Sequence, residues 1–272
     1  KVIGCREAIE EPEPEPPPVR NIFHGALVGE GMPRVDQIEN FETKTGQKLD
    51  VVMWFEYYFR WMKFPEDKWA EIHSKYPNIV PFIKLEPWDG LDQILSGETD
   101  EGIKNYCSAI ATLDHPVLIA PFQEANGDWY PWSGVNNGGG YDANKNGIPD
   151  GPEKWISAYR RVHDKCEEAG ATNVRWVFNV NFKNIPNVGW NEISDYYPEK
   201  TTDTAPYVDW VATNIFNTED KGDPWKSFPD LASYSISVLS TYHQKGKKIM
   251  VGEFACDENT ENDRLARKPE SI

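Results

Sequence analysis

Two glutamates, Glu124 and Glu253, carry the clearest chemistry in this sequence. Glu124 stands in residues 117–132, VLIAPFQEANGDWYPW. The run Val117-Leu118-Ile119-Ala120, closed by Pro116 and Pro121, predicts a strand covered on both faces. Gln123, Glu124, Asn126 and Asp128 follow it, then Trp129, Tyr130 and Trp132. Glu253 closes a second apolar run, Ile249-Met250-Val251-Gly252-Glu253-Phe254. Such a set suits cleavage of a glycosidic bond. One carboxyl protonates the leaving oxygen, amides hold hydroxyls, and indole faces stack on pyranose rings. If the second carboxylate attacks the sugar, the two must lie about 5 Å apart. Taken alone, either glutamate could cap a helix or pair with an arginine. Two at strand ends, beside three aromatics in a polar loop, favour the chemical reading.

The elements around them alternate. Strands are predicted over 21–28, 49–57, 79–85, 117–122, 174–180, 208–215 and 248–254. Helices are predicted over 33–45, 66–75, 91–95, 99–113, 153–169 and 227–244. Repeated βα units with strands buried on both faces imply a parallel sheet, and seven of them point to a (β/α)8 barrel. In that architecture chemistry sits at the C-terminal ends of the strands. Strands four and seven face each other across the mouth, so Glu124 and Glu253 should converge. No GxGxxG turn follows the first strand, which counts against a dinucleotide fold. Residues 255–272 are polar and offer no eighth strand, so the sequence reads as a barrel cut short. The barrel is expected over 21–272, behind an N-terminal linker over 1–20.

Asp and Glu number 44 against 28 Lys and Arg, for a net charge of -16. That excludes nucleic acid and anionic membrane as natural partners. No apolar run approaches the roughly 20 residues of a membrane span. Val2-Ile3-Gly4-Cys5 resembles a lipoprotein cleavage box, and the proline- and glutamate-rich residues 10–19 behind it form a semi-rigid spacer. An extracellular, surface-tethered monomer, with Cys5 carrying the lipid, is therefore expected. Cys107 and Cys166 fall in helices flanking the fourth strand, where a disulfide could form. Cys256, just past the seventh strand, reads as a buried thiol.

A separate pattern spans 142–153. Asp142, Asn144, Asn146, Ile148, Asp150 and Glu153 fall at the ligand positions of an EF-hand-type calcium loop, with Gly147 at the sharp turn. Gly138-Gly139-Gly140 stands where the preceding helix would be, so a lone structural Ca2+ loop is expected. An Asx-rich turn without metal is the alternative.

APFQEANGDWYPW resembles the acid/base segment of glycoside hydrolase family 26, and IMVGEF its nucleophile segment. IKLEPW (83–88), ATNVRWV (171–177), YVDW (207–210) and WKSF (225–228) agree in order, so the resemblance covers residues 22–258. It implies a retaining endo-acting hydrolase of β-1,4-linked polysaccharide that needs no catalytic cofactor. Glu124 would be the acid/base and Glu253 the nucleophile. Gln123, Asn126 and Trp129 would touch the sugar, and Trp54, Trp88, Trp132 and Trp225 are candidate stacking platforms. Trp155 and Trp176 belong to the core, and His24 could reach the site or fill the barrel floor. Two departures stand out. Gln123 replaces the family's usual His, and Phe216 falls where a nucleophile-orienting Tyr is usual, so another donor would have to hold Glu253. β-Mannan is the first expectation for the substrate and mixed-linkage or cello-type β-glucan the second. A carbohydrate-binding scaffold without catalysis is the competing class.

Overall fold

The computed structural model describes residues 22–199, 206–217 and 226–256. The N-terminal spacer, Cys5 and Trp225 lie outside the described residues.

Among them run seven strands: β1 (Gly25–Ala26), β2 (Val51–Glu56), β3 (Val80–Leu85), β4 (Val117–Pro121), β5 (Val174–Asn181), β6 (Trp210–Asn217) and β7 (Lys248–Cys256). Six helices separate them: α1 (Val35–Thr45), α2 (Glu66–Lys75), α3 (Asp92–Ser96), α4 (Asp100–Ala111), α5 (Asp150–Glu168) and α6 (Phe228–His243). Every neighbouring pair of strands is parallel, and spatial order follows chain order from β1 to β7. This is the arrangement of a (β/α)8 barrel through its seventh strand. Every predicted strand and helix is present, with ends moved by a few residues.

The sheet is curled. Lys84 on β3 pairs with Glu253 on β7. In a flat sheet those strands would be about 19 Å apart, at roughly 4.8 Å per strand. Only closure toward a barrel brings one side chain to the other.

Alternation along the strands divides the apolar residues in two. Met53, Phe82, Leu118, Ala120, Val177 and Ala212 face inward and form a small plug inside the barrel. The outward residues pack on the helices in the main core. α5 shows why a helix forms there. Trp155, Ala158, Tyr159, Val162 and Cys166 are buried on one stripe, while Asp150 and Glu153 lie in its first turn and Lys165 in its last. Trp155 and Trp176 are buried, as expected. Trp54 is also in this outer core, against Phe64 and Trp69, with its indole nitrogen on Glu56 at 2.9 Å. It is no sugar platform, because it alternates with the inward-facing Met53 on β2 and so turns away from the lumen. His24 is exposed, and its backbone joins Asp50 and Val51 at the strands' N-terminal ends, so it reaches neither site nor floor. Cys256 is half-buried at the end of β7.

Cys107 of α4 and Cys166 of α5 are bridged, with Cα atoms 5.1 Å apart and 59 residues of separation. A cross-link closing a loop of that length removes denatured-state entropy worth about 2–4 kcal/mol. The Cys107→Ser, Cys166→Ser double variant should keep its circular dichroism spectrum yet melt about 5–15 °C lower in a thermal scan.

Candidate active site

The C-terminal ends of the strands collect the polar residues of the interior. Above the apolar plug, the inward positions become Lys84, Asn179 and Asn214, all buried. Lys84 is fully buried, and its ammonium is bonded to Glu253 Oε1 and lies 3.3 Å from Asn214 Oδ1. Asn179 donates to the same Oδ1 at 2.9 Å. Two donors thus fix the oxygen side of the Asn214 amide, and its nitrogen must face the other way. There Nδ2 donates to Glu124 Oε1 at 3.0 Å and reaches Glu253 Oε1 at 3.3 Å. A single nitrogen between the two carboxylates caps the separation of those oxygens at about 6 Å. Retaining pairs stand roughly 5 Å apart and inverting pairs about 6.5–9.5 Å.

Glu253 reaches this position through an irregularity. Thr213 pairs with Val251, but Asn214 pairs with Glu253, leaving Gly252 as an extra residue in β7. Met250 packs on the interior plug, so strict alternation would send Glu253 outward. The bulge at Gly252 reverses the phase and turns Glu253 inward, while Phe254 packs outside on Phe228. Glycine is required here by proximity. A Cβ would fall 2.6 Å from Asn179 Oδ1 and 2.8 Å from Asn214 Oδ1.

Glu124 lies just past β4, in left-handed backbone (φ 59°) two residues after Phe122 in the same region (φ 55°). Neither is glycine, and such strain gathers where a side chain must be aimed. The Glu124 amide is tied to the Asn179 carbonyl at 2.9 Å. Its carboxylate accepts from Trp129 Nε1 at 3.0 Å. Burial pushes the Glu124 carboxyl above the ordinary range, Asn214 opposes this, and the nearby Glu253 charge adds to it. Burial pulls the Lys84 ammonium down, against the opposing effect of Glu253.

A third carboxylate stands beside the pair. Glu86 is buried, accepts from Gln123 Nε2, and accepts from Trp88 Nε1 at 3.0 Å. Burial raises its pKa too. Trp88 is 53% exposed and Trp129 42%, so both offer an indole face at the mouth.

Other expected contacts are corrected. Trp132 is fully buried, stacked on Tyr130 and bonded to the Gln123 carbonyl at 2.8 Å. It backs the site from behind. Asn126 is also fully buried, with its amide spent on Asn181, Lys183 and Asn184, so it ties the β4 loop to the β5 loop and has no atom left for sugar. Gln123 is buried, directed at Glu86. Phe216 lies half-buried two residues beyond Asn214 on β6. The side chains that bond the Glu253 carboxylate are Lys84 and Asn214. Sequence reading assigned a role to neither; the available signal was a lysine and an asparagine at inward positions of otherwise apolar strands.

The 142–153 loop is ordered by its own oxygens. Asp142 accepts from the amides of Asn146 and Gly147 at 3.0 and 2.9 Å, and Asp150 accepts from the Ala143 amide at 3.2 Å. Asn144 and Asn146 both donate to Glu153, in the first turn of α5. Asn146 Oδ1 accepts from the Ile148 amide at 2.8 Å, so the Ile148 side contributes only backbone. Gly147 takes the left-handed turn (φ 84°).

Known proteins can be set against this geometry. No family model matches the chain. Endoglucanase H of Acetivibrio thermocellus is 31% identical over 242 residues, covering 86% of this chain and 24% of that protein. The chain therefore spans about a quarter of the length of that curated relative. Among solved structures, the Bacillus subtilis mannanase BCman superposes with a TM-score of 0.58 at 16% identity, over 93% of this chain and 79% of that one. The GH26 domain of an endo-β-mannanase/endo-β-glucanase from Prevotella bryantii gives 0.57 at 12% identity, over 92% and 82%. The fold is that of the family 26 β-mannanases. Within this family 26 fold, the Lys84–Asn214 arrangement is what holds the two glutamates of this chain.

Opposite charge favours an ionised carboxyl, so removing Lys84 should raise its neighbours' pKa values. In Lys84→Met, carbon-13 titration of labelled glutamate carboxyls should show Glu124 titrating at higher pH than in the parent, where it already lies above the ordinary range. Unchanged titration would mean that Lys84 only fills space.

Proposed function

We propose that this chain is the catalytic module of a retaining endo-β-1,4-glycanase. The observation that carries the reading is the Asn214 amide held between Glu124 and Glu253 at the barrel mouth. The separation it imposes fits double displacement and leaves little room for the water that inversion needs. Glu253, its carboxylate bonded to Lys84, attacks the anomeric carbon as Glu124 gives its proton to the departing glycosidic oxygen. A glycosyl ester forms on Glu253. Glu124, now a carboxylate, takes a proton from water, and the resulting hydroxide displaces Glu253 from the sugar. The raised pKa of Glu124 supports its acid role near neutral pH. No cofactor takes part in these steps.

For the substrate, we favour β-glucan. Endoglucanase H shares 31% of aligned residues, whereas the mannanase structures share 12–16%. Mannan is the second reading, supported by the motif and by those mannanases. A binding-only role is disfavoured by the intact carboxylate pair with its dedicated cation. The Cys107–Cys166 bridge fits an oxidising, extracellular setting, and the same proposal takes the chain as a monomer with Cys5 as a surface anchor. The 142–153 loop is proposed to hold a structural Ca2+ through Asp142, Asn144, Asn146, Ile148 carbonyl, Asp150 and Glu153.

Reducing-end assays should show release from mixed-linkage or cello-type β-glucan exceeding that from mannan. Nuclear magnetic resonance of early products should show the β anomer first. Glu253→Ala should lower turnover at least about 10³-fold, and Glu124→Gln about 10²–10⁴-fold on natural glycans while removing the alkaline limb of the pH profile. Early α product would replace double displacement with inversion. Separately, millimolar Ca2+ should raise the melting temperature of the parent by several degrees and leave Asp142→Ala unmoved; equal melts with Ca2+ and chelator would return the loop to an ion-free turn.

A further inference from the structure

At the N-terminal ends of the strands, away from the glutamates, three aromatic rings from two elements stack together. Trp69 and His73 belong to α2, and His115 to the loop that leads into β4. His73 and His115 have centroids 4.3 Å apart and planes 17° apart. Trp69 stacks on His115 at 5.3 Å and on His73 at 6.1 Å. The hydrogen bonds fix where the protons are. An indole N–H only donates, so Trp69 Nε1, 3.0 Å from His115 Nε2, makes that nitrogen an acceptor. The proton of neutral His115 is therefore on Nδ1, which faces Asp114 Oδ1 at 3.2 Å. His73 Nε2 donates to the Pro77 carbonyl at 3.1 Å. His73, Asp114 and His115 each bring a ligating atom within 4.8 Å of the others, yet they suit a metal ion poorly. Imidazole lone pairs lie in the ring planes, and two rings stacked this way aim them side by side, while both His115 nitrogens are already engaged.

His115 can hold α2 only while it is neutral. A second proton would go to Nε2 and set one N–H against another, beside an indole that is 1% exposed. The backbone decides which side gives way. Asn173 Nδ2 donates to the carbonyls of Ile110, Leu113 and His115 at 3.0, 3.1 and 3.0 Å, which pins the loop. By contrast, α2 buries only Trp69 and Ile72. Trp69 also packs on Trp54 of β2 at 6.1 Å, so one ring joins the helix to the outer core. Burial pulls the His115 imidazole below its ordinary pKa; Asp114 opposes this and His73 adds to it. Asp114 is 90% exposed, so water screens its support for an imidazolium. As pH falls through about 6.5 the unfolded chain takes up this proton first, and the fold weakens here until folded His115 is protonated too. We propose that Trp69, His115 and His73 form an acid-sensitive latch, in which neutral His115 holds α2 on the barrel and protonation at Nε2 breaks the Trp69 bond and releases the helix. The latch is independent of the reaction at the mouth and of the glycan cleaved there.

The test is amide hydrogen exchange of the full chain at about pH 7.5 and about pH 5, on either side of the imidazole range. It is read by mass spectrometry on peptides covering α2 and α5, after correction for the pH dependence of intrinsic exchange. In the parent, protection of the α2 amides should fall about three- to tenfold at the lower pH, the loss of one buried hydrogen bond, while α5 keeps its protection. His115→Gln offers Trp69 an amide oxygen that cannot titrate, so α2 should be equally protected at both pH values. His73→Gln keeps a donor for the Pro77 carbonyl and leaves His115 in place, so the parent's loss should persist. Trp69→Phe removes the N–H that opposes the proton, so α2 should be less protected at the higher pH and indifferent to acid. It carries the comparison if circular dichroism shows that His115→Gln does not fold. Protection of α2 unchanged by pH in the parent would overturn the latch. So would a loss that persists in His115→Gln or vanishes in His73→Gln, because the titrating group would then be another. Equal losses in α2 and α5 would overturn it as well, since the whole fold would be opening.

Discussion

The ion pair between Lys84 and Glu253 is the constraint around which this structure is arranged. Lys84 has no access to solvent, and a lone ammonium in that position would be severely destabilising. Its anionic partner comes from a strand four places away in the sheet, so the charge is tolerated only if the sheet curls. The curl, the bulge that turns Glu253 inward and the glycine that leaves space for two amides all serve one contact. Buried ion pairs are weak sources of stability, because desolvation offsets attraction. Here the return is positional: a carboxylate at the mouth is held in one orientation.

Asn214 extends that control to the second glutamate. Its oxygen is occupied by Lys84 and Asn179, which leaves only its nitrogen for the carboxylates. The amide cannot flip without facing an oxygen toward two anions and a nitrogen toward a cation. One side chain therefore sets the distance between Glu124 and Glu253 and weakens their mutual repulsion. The two carboxyls differ in surroundings as well. Glu124 is more deeply buried and leans toward its protonated form, while Glu253 sits against a cation. An acid and a nucleophile need that division of roles.

Much of this was legible in the sequence. Apolar runs bounded by Pro and Gly marked the central strands such as β3 and β4, since strands buried on both faces must be largely apolar. The two glutamates could be paired because strand order in a parallel barrel follows chain order. What sequence could not give was the phase of side chains around irregular backbone. Trp54 and Trp132 resembled platforms by composition, but one residue of alternation put Trp54 into the outer core. Trp132 was folded behind Gln123 by a loop without periodicity. Asn126 looked like a sugar ligand because its neighbours do, yet its amide closes three loop contacts. Lys84 was visible as a charge inside an apolar run; its partner was not, because 169 residues separate the two.

The apolar plug beneath the polar network has a consequence for how protons move. Met53, Phe82, Leu118, Ala120, Val177 and Ala212 provide no hydrogen-bonding side chain, so among the described residues this plug carries no relay from Glu124 or Glu253 toward the floor of the barrel. The polar residues around the two glutamates open toward the mouth, which gives one route for exchange with bulk solvent. A glycan strand lying across that mouth would cover the same route, so the ionisation states present at docking would be those carried into the first bond-breaking step. The enzyme proposed here would then set its protonation before it meets its substrate, and acidity of the medium would act on the empty cleft more than on the filled one.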